Sequence, residues 1–175
     1  MSLEGPLGEP LAPSLPLRVG VGIMLFNGQG QVWTGRRLPK WVGDRSAFVW
    51  QMPQGGLMAG EDPLEAAYRE LEEETGIRSV EVLAELSQWL TYELPPHLLG
   101  VALKGRYRGQ QQRWFAMRFF GDDSEIDIRP RNGGKAEFDR WKWRPIGEIT
   151  EMAVEFKRPV YAELVRVFSR FAAPD

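Results

Sequence analysis

Three glutamates are spaced so that a helix would present them on one face. Glu70, Glu73 and Glu74 occur at i, i+3 and i+4, which confines them to an arc of about 100° on a helix with 3.6 residues per turn. Like charges at this spacing destabilise a helix by roughly 0.2–0.5 kcal/mol per pair. Arg69 can pair with Glu73, but one guanidinium does not balance three carboxylates. The spacing therefore favours a bound cation, and oxygen ligands without histidine or cysteine suit Mg²⁺, with Mn²⁺ as a second option.

A solvated acidic face is the ordinary alternative for a run of glutamates. The surrounding residues argue against it here. Gly55, Glu61 and the run from Arg69 to Ile77 satisfy every fixed position of the pattern G-x5-E-x7-R-E-U-x-E-E-x-G-U, in which U is aliphatic. The sequence therefore resembles the Nudix hydrolases, whose loop-helix-loop binds a divalent metal and positions it on a diphosphate linkage.

The resemblance implies a role for each matching residue. The metal ligands within the motif would be the carbonyl of Gly55 and the carboxylates of Glu70, Glu73 and Glu74. Arg69 would orient one of these carboxylates, and Glu61 would support the loop. Glu65 and Glu72 fall at variable positions of the pattern, so a capping or solvated role remains the expectation for them.

Segments outside the motif resemble one branch of the family, the bacterial RNA pyrophosphohydrolases and the related dinucleoside polyphosphate hydrolases. These segments are residues 50–56, 89–95, 109–115, 137–141 and 156–161. In this branch a glutamate at the position of Glu137 joins the metal cluster from a distant loop. The resemblance thus makes Glu137 a metal ligand and a candidate general base, and the expected catalytic residues become Arg69, Glu73, Glu74 and Glu137.

The same resemblance identifies substrate contacts, namely Arg18, Arg37, Tyr92, Gln110, Phe156 and Lys157. Phe156 would stack on a base, while Lys157 and Arg18 would meet phosphate. Arg36 is an alternative to Arg37, because adjacent residues of a strand face opposite ways. Five further cations suit phosphate, since no acidic residue interrupts them: Lys104, Arg106, Arg108, Arg113 and Arg118.

The activity implied by the resemblance is Mg²⁺-dependent removal of pyrophosphate from the 5′-triphosphate end of RNA, which leaves a 5′-monophosphate. Dinucleoside polyphosphates are the alternative substrates, because they also offer a purine, a chain of phosphates and a second nucleoside. A noncatalytic nucleotide or RNA sensor is a further alternative. The intact set of carboxylates argues against a sensor, since a pure binder has little reason to keep clustered like charges.

Composition excludes several other classes of protein. The chain of 175 residues has no cysteine and one histidine, which excludes a disulfide framework and thiolate chemistry and leaves no multi-histidine metal centre. No apolar run suggests a membrane span or a secretory signal, so we expect a cytoplasmic protein without a membrane partner, and no DNA partner. The net charge of -2 conceals a local sum of 1 - 7 = -6 over residues 61–74, against -2 - (-6) = +4 elsewhere.

The elements that must position these residues follow from turn and capping signals. Asp62 as N-cap, Pro63 at the first position and Gly76 after the last turn predict a helix from Pro63 to Thr75. Strands are expected at residues 18–27, 31–35, 48–52, 80–84, 88–92, 113–120 and 140–144, a loop at 53–56 and a second helix at 159–171. This order predicts an α+β fold, a Nudix-type α/β/α sandwich with a mixed sheet, over residues 17–175. Residues 1–16 are expected to form a flexible arm, and the loop 40–47, longer than expected for the branch, could cap the cleft.

Overall fold

The computed structural model describes residues 15–131 and 133–173 of the chain. Its helices and strands are, in order, β1 (Leu17–Phe26), β2 (Val32–Arg37), β3 (Trp50–Gln51), β4 (Gln54–Gly56), α1 (Pro63–Thr75), β5 (Val80–Glu85), β6 (Leu90–Glu93), β7 (Gly109–Phe119), β8 (Phe138–Arg144), α2 (Ile149–Met152) and α3 (Arg158–Phe168). Most of the expected N-terminal arm, residues 1–14, lies outside the described part. Leu15 and Pro16 are described, and their carbonyls accept hydrogen bonds from Arg108.

One mixed sheet lies at the centre of the fold. β1 and β7 run parallel, from Leu17 opposite Gly109 to Phe26 opposite Arg118. The other pairs are antiparallel: β2 and β4 with β1, β3 and β8 with β2, and β5 and β6 with β7. β1 and β7 therefore form the middle of the sheet, which explains why β1 is a nearly continuous apolar run.

Helices cover both faces of this sheet. Along β1, Val21, Ile23 and Leu25 pack in the core beneath α1, while Met24 and Phe26 point the other way into the core beneath α3. This alternation follows from the two-residue period of a strand. The expected α/β/α sandwich is thus confirmed, and no helix in the described ranges has the length and apolar character needed to cross a membrane.

The boundaries of α1 agree with the prediction from Pro63 to Thr75. An Asp62 side-chain oxygen accepts hydrogen bonds from the backbone N–H groups of Leu64 and Glu65, at 3.1 and 3.2 Å. At the other end Gly76 adopts a φ of 75°, and its N–H donates to the carbonyl of Glu72. Both caps satisfy backbone groups that a helix end leaves free, so the ends of α1 are fixed by local sequence.

The prediction of a loop at residues 53–56 is wrong for its last three residues. They form β4, which pairs with Gly20, Val21 and Gly22 of β1. A β-carbon on Gly20 would lie 2.6 Å from the carbonyl oxygen of Gly55, so this pairing depends on a glycine in the neighbouring strand. Adjacent glycines in the sequence resembled a turn, and the partner strand that accommodates them lies more than thirty residues away.

The other predicted strands and the second helix are shifted or resized at their ends, and three of these differences have consequences for the fold. The strand predicted at 48–52 is limited to Trp50–Gln51, because Phe48 has a φ of 63°, outside the extended region. The strand predicted at 113–120 begins four residues earlier, at Gly109, where its pairing with β1 starts. The helix predicted at 159–171 ends as an α-helix at Phe168 and continues as a 3-10 turn over Ser169–Ala172.

Candidate active site

A cleft of about 200 Å³ collects most of the residues singled out in the sequence. Ten of the predicted site residues line it: Arg18, Arg37, Gly55, Glu70, Glu74, Tyr92, Gln110, Glu137, Phe156 and Lys157. They come from β1, β2, β4, α1, β6, β7 and the segments before β8 and α3. The other two, Arg69 and Glu73, border an adjoining depression together with Glu70, Glu74 and Glu137.

Arg69 connects α1 to the loop that precedes it. Its guanidinium donates two hydrogen bonds of 2.8 Å to Glu61 and one of 2.9 Å to the carbonyl of Gly56. It also donates to Glu70 at 2.8 Å and to Glu73 at 3.3 Å. The hydrogen bonds from Arg69 lower the pKa of Glu61 to about 2, so this carboxylate stays ionised and the loop stays attached to the helix.

Glu74 is the most perturbed carboxyl group of the site. Burial raises its pKa well above the ordinary value, and the neighbouring carboxylates of Glu137 and Glu70 raise it further. Its Oε2 is buried without a hydrogen-bond partner among the described residues. Burial also raises the pKa of Glu70, although Arg69 opposes that effect. A cation in the cleft would relieve both the desolvation and the repulsion.

These carboxylates fit a divalent metal ion in donor chemistry. Glu70, Glu74 and Glu137 line the same cleft and offer hard oxygen donors, which suit Mg²⁺ or Mn²⁺. In the described part of the chain no three acidic side chains are yet close enough together to enclose an ion. Several of these carboxylates are in ion pairs instead, since Glu137 pairs with Lys40 at 2.8 Å and Arg69 pairs with both Glu70 and Glu73. The orphaned Oε2 of Glu74 would be the first donor available.

A pair of aromatic rings lies on the other side of the cleft. The rings of Tyr92 and Phe156 have centroids 5.5 Å apart, and Nζ of Lys157 lies 5.6 Å from the centre of the Tyr92 ring. Gln110 donates a hydrogen bond of 2.6 Å to the Tyr92 hydroxyl, and burial raises the pKa of that hydroxyl to about 12. Tyr92 is therefore a neutral, fixed surface against which a planar ligand can stack.

Comparison with known proteins decides the family of this chain. The family model described as NUDIX domain matches residues 16–164. The chain belongs to the Nudix family. An RNA pyrophosphohydrolase of Brucella anthropi is 56% identical over 168 residues, which cover 94% of this Nudix hydrolase and 97% of the relative. An RNA pyrophosphohydrolase of Mesorhizobium japonicum is 55% identical over 162 residues, covering 91% and 94% of the two chains. The protein is thus an enzyme of the Nudix pyrophosphohydrolase class.

Solved structures of lower identity share the same fold. A MutT protein from Methanosarcina mazei Go1 superposes with a TM-score of 0.63 at 18% identity, covering 87% of this Nudix chain and 96% of its own. An Ap4A hydrolase from C. elegans superposes with a TM-score of 0.60 at 16% identity, covering 88% and 99%. The Nudix architecture is therefore confirmed from structure as well as sequence, and Nudix hydrolases generally use divalent metals such as Mg²⁺.

The loop 40–47 borders the cleft of this Nudix hydrolase, since Lys40, Trp41 and Ser46 line it. Its organiser is Asp44, a residue that the sequence did not indicate. One oxygen of Asp44 accepts from Arg37 at 2.9 Å and from the backbone of Lys40 at 3.0 Å, and the other accepts from Ser46. Burial acts to raise the pKa of Asp44, but these hydrogen bonds outweigh it and lower the pKa. An aspartate within a loop is usually solvated, so only tertiary structure reveals this one.

The structure also distinguishes Arg36 from Arg37, which the sequence left as alternative substrate contacts. Arg37 is buried in the cleft, whereas Arg36 pairs with Asp139 and does not line it. Arg37 donates to Asp44 and Ser46, so it holds the loop and its contact with substrate stays a prediction. Of the five other cations, three have structural partners: Arg108 pairs with Glu93, Arg113 pairs with Glu85, and Arg118 donates to the carbonyl of Asn27.

Glycine at position 55 determines where the Glu70 carboxylate lies, which gives a first prediction. A β-carbon there would be 2.0 Å from Cδ of Glu70, so Gly55→Ala must displace the carboxylate. We expect kcat/KM to fall about 100-fold, in keeping with a displacement of about 1 Å at a reacting centre, with little loss of thermal stability because a flexible side chain can move. Gly147→Ala is the control, because its β-carbon meets nothing within 4 Å. Unchanged activity in Gly55→Ala would refute a role for Glu70 at this position.

Proposed function

We propose that this Nudix hydrolase uses Mg²⁺, or Mn²⁺ in its place, to remove pyrophosphate from 5′-triphosphorylated RNA. Water adds its oxygen to phosphorus, the anhydride bond between the α and β phosphates breaks, and the products are a 5′-monophosphate end, pyrophosphate and a proton. The observation that carries the proposal is that one cleft brings together carboxylates, a ring pair and two cations, Arg18 and Lys157, that form no ion pair among the described residues. High identity along the full length to proteins named RNA pyrophosphohydrolase supports the choice of substrate.

The metal would be held by Glu70, Glu74 and Glu137, with Glu73 and the Gly55 carbonyl completing the proposed set. When bound, it neutralises charge on the phosphoryl oxygens and makes water easier to deprotonate. Among the chain's own groups, Glu74 and Glu137 are the candidates to accept the proton, because Glu137 pairs with the exposed Lys40 and burial raises the pKa of Glu74 well above its ordinary value. Arg69 acts through its hydrogen bonds to Glu70 and Glu73 and is a positioning residue.

The proposed substrate contacts are of two kinds, cations that contact phosphate and aromatic rings that stack on a base. Arg18 has no carboxylate partner in the described ranges, and Lys157 lies in the same cleft, so both can contact phosphate oxygens. Phe156 and Tyr92 can stack on a nucleobase. Arg37 and Gln110 are the remaining proposed contacts. A protein of this kind is proposed to act in the cytoplasm, where RNA with 5′-triphosphate ends is made.

Comparison of two substrates tests this function. We expect kcat/KM on triphosphorylated RNA to exceed that on diadenosine tetraphosphate by about tenfold or more, because the cleft continues into a cationic groove described below. Release of pyrophosphate should require added Mg²⁺ and should stop on chelation, whereas folding monitored by circular dichroism should persist. A strong preference for the dinucleotide would make the protein a dinucleoside polyphosphate hydrolase, and metal-dependent binding without turnover would make it a sensor.

A further inference from the structure

A second depression continues from the active-site cleft along the protein surface. It has a volume of about 620 Å³ and shares five residues with the cleft: Arg18, Lys40, Trp41, Leu103 and Glu137. Its further walls include Lys104, Arg106, Tyr107 and Lys135. We call this depression the basic groove. Because it shares a wall with the cleft, a ligand whose end lies in the cleft can extend into the groove without leaving the surface.

The positive charges that line the basic groove outnumber the negative charges in its lining. Five cations line it against one acidic residue, Glu137, which is paired with Lys40. Lys104, Arg106 and Lys135 are exposed and form no ion pair in the described part of the chain. Elsewhere many arginines are paired, as in the pairs of Arg108 with Glu93 and of Arg113 with Glu85. Unpaired cations lining one groove attract a polyanion rather than a single phosphate.

The groove also contains aromatic side chains at intervals between the cations. Trp41 and Tyr107 line it, and both are partly exposed. Indole and phenol rings stack on nucleobases with little regard to sequence, and cations between them track a phosphodiester backbone. An acidic peptide or a lipid surface would have less use for such rings, so the lining favours a single-stranded nucleic acid.

The backbone of the groove wall is held in an unusual conformation. Leu103 and Lys104 have φ values of 54° and 58°, and Gly105 follows with 70°. Two successive side-chain-bearing residues in this region are rare, and such outliers concentrate at functional sites. Hydrogen bonds from Gly105 to Ala102 and from Arg106 to Leu103 hold the turn closed. The turn places the exposed Lys104 at the groove.

We propose that the basic groove binds the RNA strand downstream of the reacting 5′ end, with phosphodiesters on Lys104, Arg106 and Lys135 and bases against Trp41 and Tyr107. This inference rests on the proposed function of the adjoining cleft. A dinucleoside polyphosphate has no phosphodiester strand with which to occupy the groove. The groove thereby becomes the feature that selects RNA over dinucleotides and makes turnover depend on RNA length.

A charge-matched pair of variants tests the groove. The test variant is Lys104→Ala/Arg106→Ala/Lys135→Ala, and the control is Arg140→Ala/Arg166→Ala/Arg170→Ala, which removes three exposed cations outside the groove. The measured quantity is the ratio of kcat/KM on a triphosphorylated RNA of about twelve nucleotides to that on a triphosphorylated dinucleotide, expected to be on the order of tenfold in the wild type from about three phosphate contacts. The ratio should fall to about one in the test variant and stay high in the control. A Lys104→Arg variant should keep it.

Binding without turnover separates this inference from the proposed function. Fluorescence anisotropy with a labelled 5′-monophosphorylated RNA should show a loss of affinity in the test variant. The slope of log Kd against the logarithm of the salt concentration should become smaller by roughly 2, which is about 0.7 for each of three contacts. Poly-glutamate should compete poorly. Equal RNA affinity in both triple variants, or equal competition by poly-glutamate, would overturn the groove assignment while hydrolysis of triphosphorylated RNA stood. Loss of binding in the test variant alone, in a protein that does not hydrolyse triphosphorylated RNA, would retain the groove and reject the function.

Discussion

Replacing Glu74 with glutamine is expected to lower kcat by about 10²–10⁴-fold while making the metal-free protein more stable. The carboxylate is buried between Glu70 and Glu137, and its Oε2 has no hydrogen-bond partner among the described residues. A neutral amide of the same shape removes the repulsion and the desolvated charge. Removing one such buried, unsatisfied polar group corresponds to a gain of about 1–3 kcal/mol in the free energy of unfolding.

The pH dependence gives this prediction a second readout. Because the folded pKa of Glu74 lies above the ordinary value of 4.5, the folded state holds a proton more tightly than the unfolded state. The stability associated with Glu74 is therefore fully present below about pH 4.5 and is lost as pH rises through the folded pKa. Thermal unfolding of metal-free protein should show this loss in the wild type and not in Glu74→Gln.

Metal binding should reverse the order of thermal stability of the wild type and Glu74→Gln. Mg²⁺ should raise the melting temperature of the wild type, since a ligand that binds the folded state stabilises it, and should raise that of Glu74→Gln much less. Glu72→Gln is the matched control, because Glu72 lies on the same helix, is exposed and pairs with the exposed Arg78. Turnover near the wild-type rate in Glu74→Gln, or an equal metal-induced shift in both proteins, would remove Glu74 from the proposed metal site.

The sequence was sufficient to predict the helix that carries these carboxylates. Asp62, Pro63 and Gly76 act within one or two turns of the helix ends, so their effect is visible without any tertiary information. The sandwich could be predicted for a similar reason, because buried strands keep their apolar pattern. The resemblance to Nudix hydrolases indicated Glu137, which lines the cleft, and its distance of more than sixty residues from Glu74 defeats any argument from spacing.

What the sequence could not show depends on contacts between distant segments. The sequence predicts a loop in place of β4 because adjacent glycines resemble a turn, and only the folded sheet brings them next to Gly20. Nothing in the sequence indicates Asp44, yet it binds Arg37 and organises the loop beside the cleft. The cations of residues 104–118 seemed equivalent in sequence. Strand alternation and ion pairing then assigned Arg113 to Glu85, while a turn with positive φ values placed Lys104 at the basic groove.

Replacing Lys157 with methionine is expected to weaken substrate binding and to stabilise the free protein. Lys157 is buried, and burial together with the nearby Arg37 and Lys40 lowers its pKa to about 7. Its Nζ donates to Gln51 at 3.4 Å, a long hydrogen bond for a buried ammonium. Methionine keeps the length of the side chain without the charge, so it removes desolvation and repulsion and also removes a contact for phosphate.

The sign of the pH dependence follows from the lowered pKa. Between about pH 7 and the ordinary value of 10.5, the unfolded state binds more protons at Lys157 than the folded state does. The stability of the wild type therefore rises with pH across this window, and the advantage of Lys157→Met should be largest below pH 7 and shrink toward pH 10. Thermal unfolding at about pH 6 and about pH 9 measures the difference.

Over the same pH range the wild type should be more active than Lys157→Met, although it is expected to be less stable. At pH 6 the protonated Lys157 can contact phosphate, and its loss should lower kcat/KM on triphosphorylated RNA by about tenfold to 100-fold. As pH rises above 7 the wild-type lysine of the free enzyme loses its charge, so the ratio of wild-type to variant kcat/KM should decline. Lys142→Met, at an exposed lysine, should change neither stability nor kinetics in this way. A Lys157→Met protein that is less stable at pH 6, or a kinetic ratio that does not change with pH, would show that Lys157 acts through packing rather than through charge.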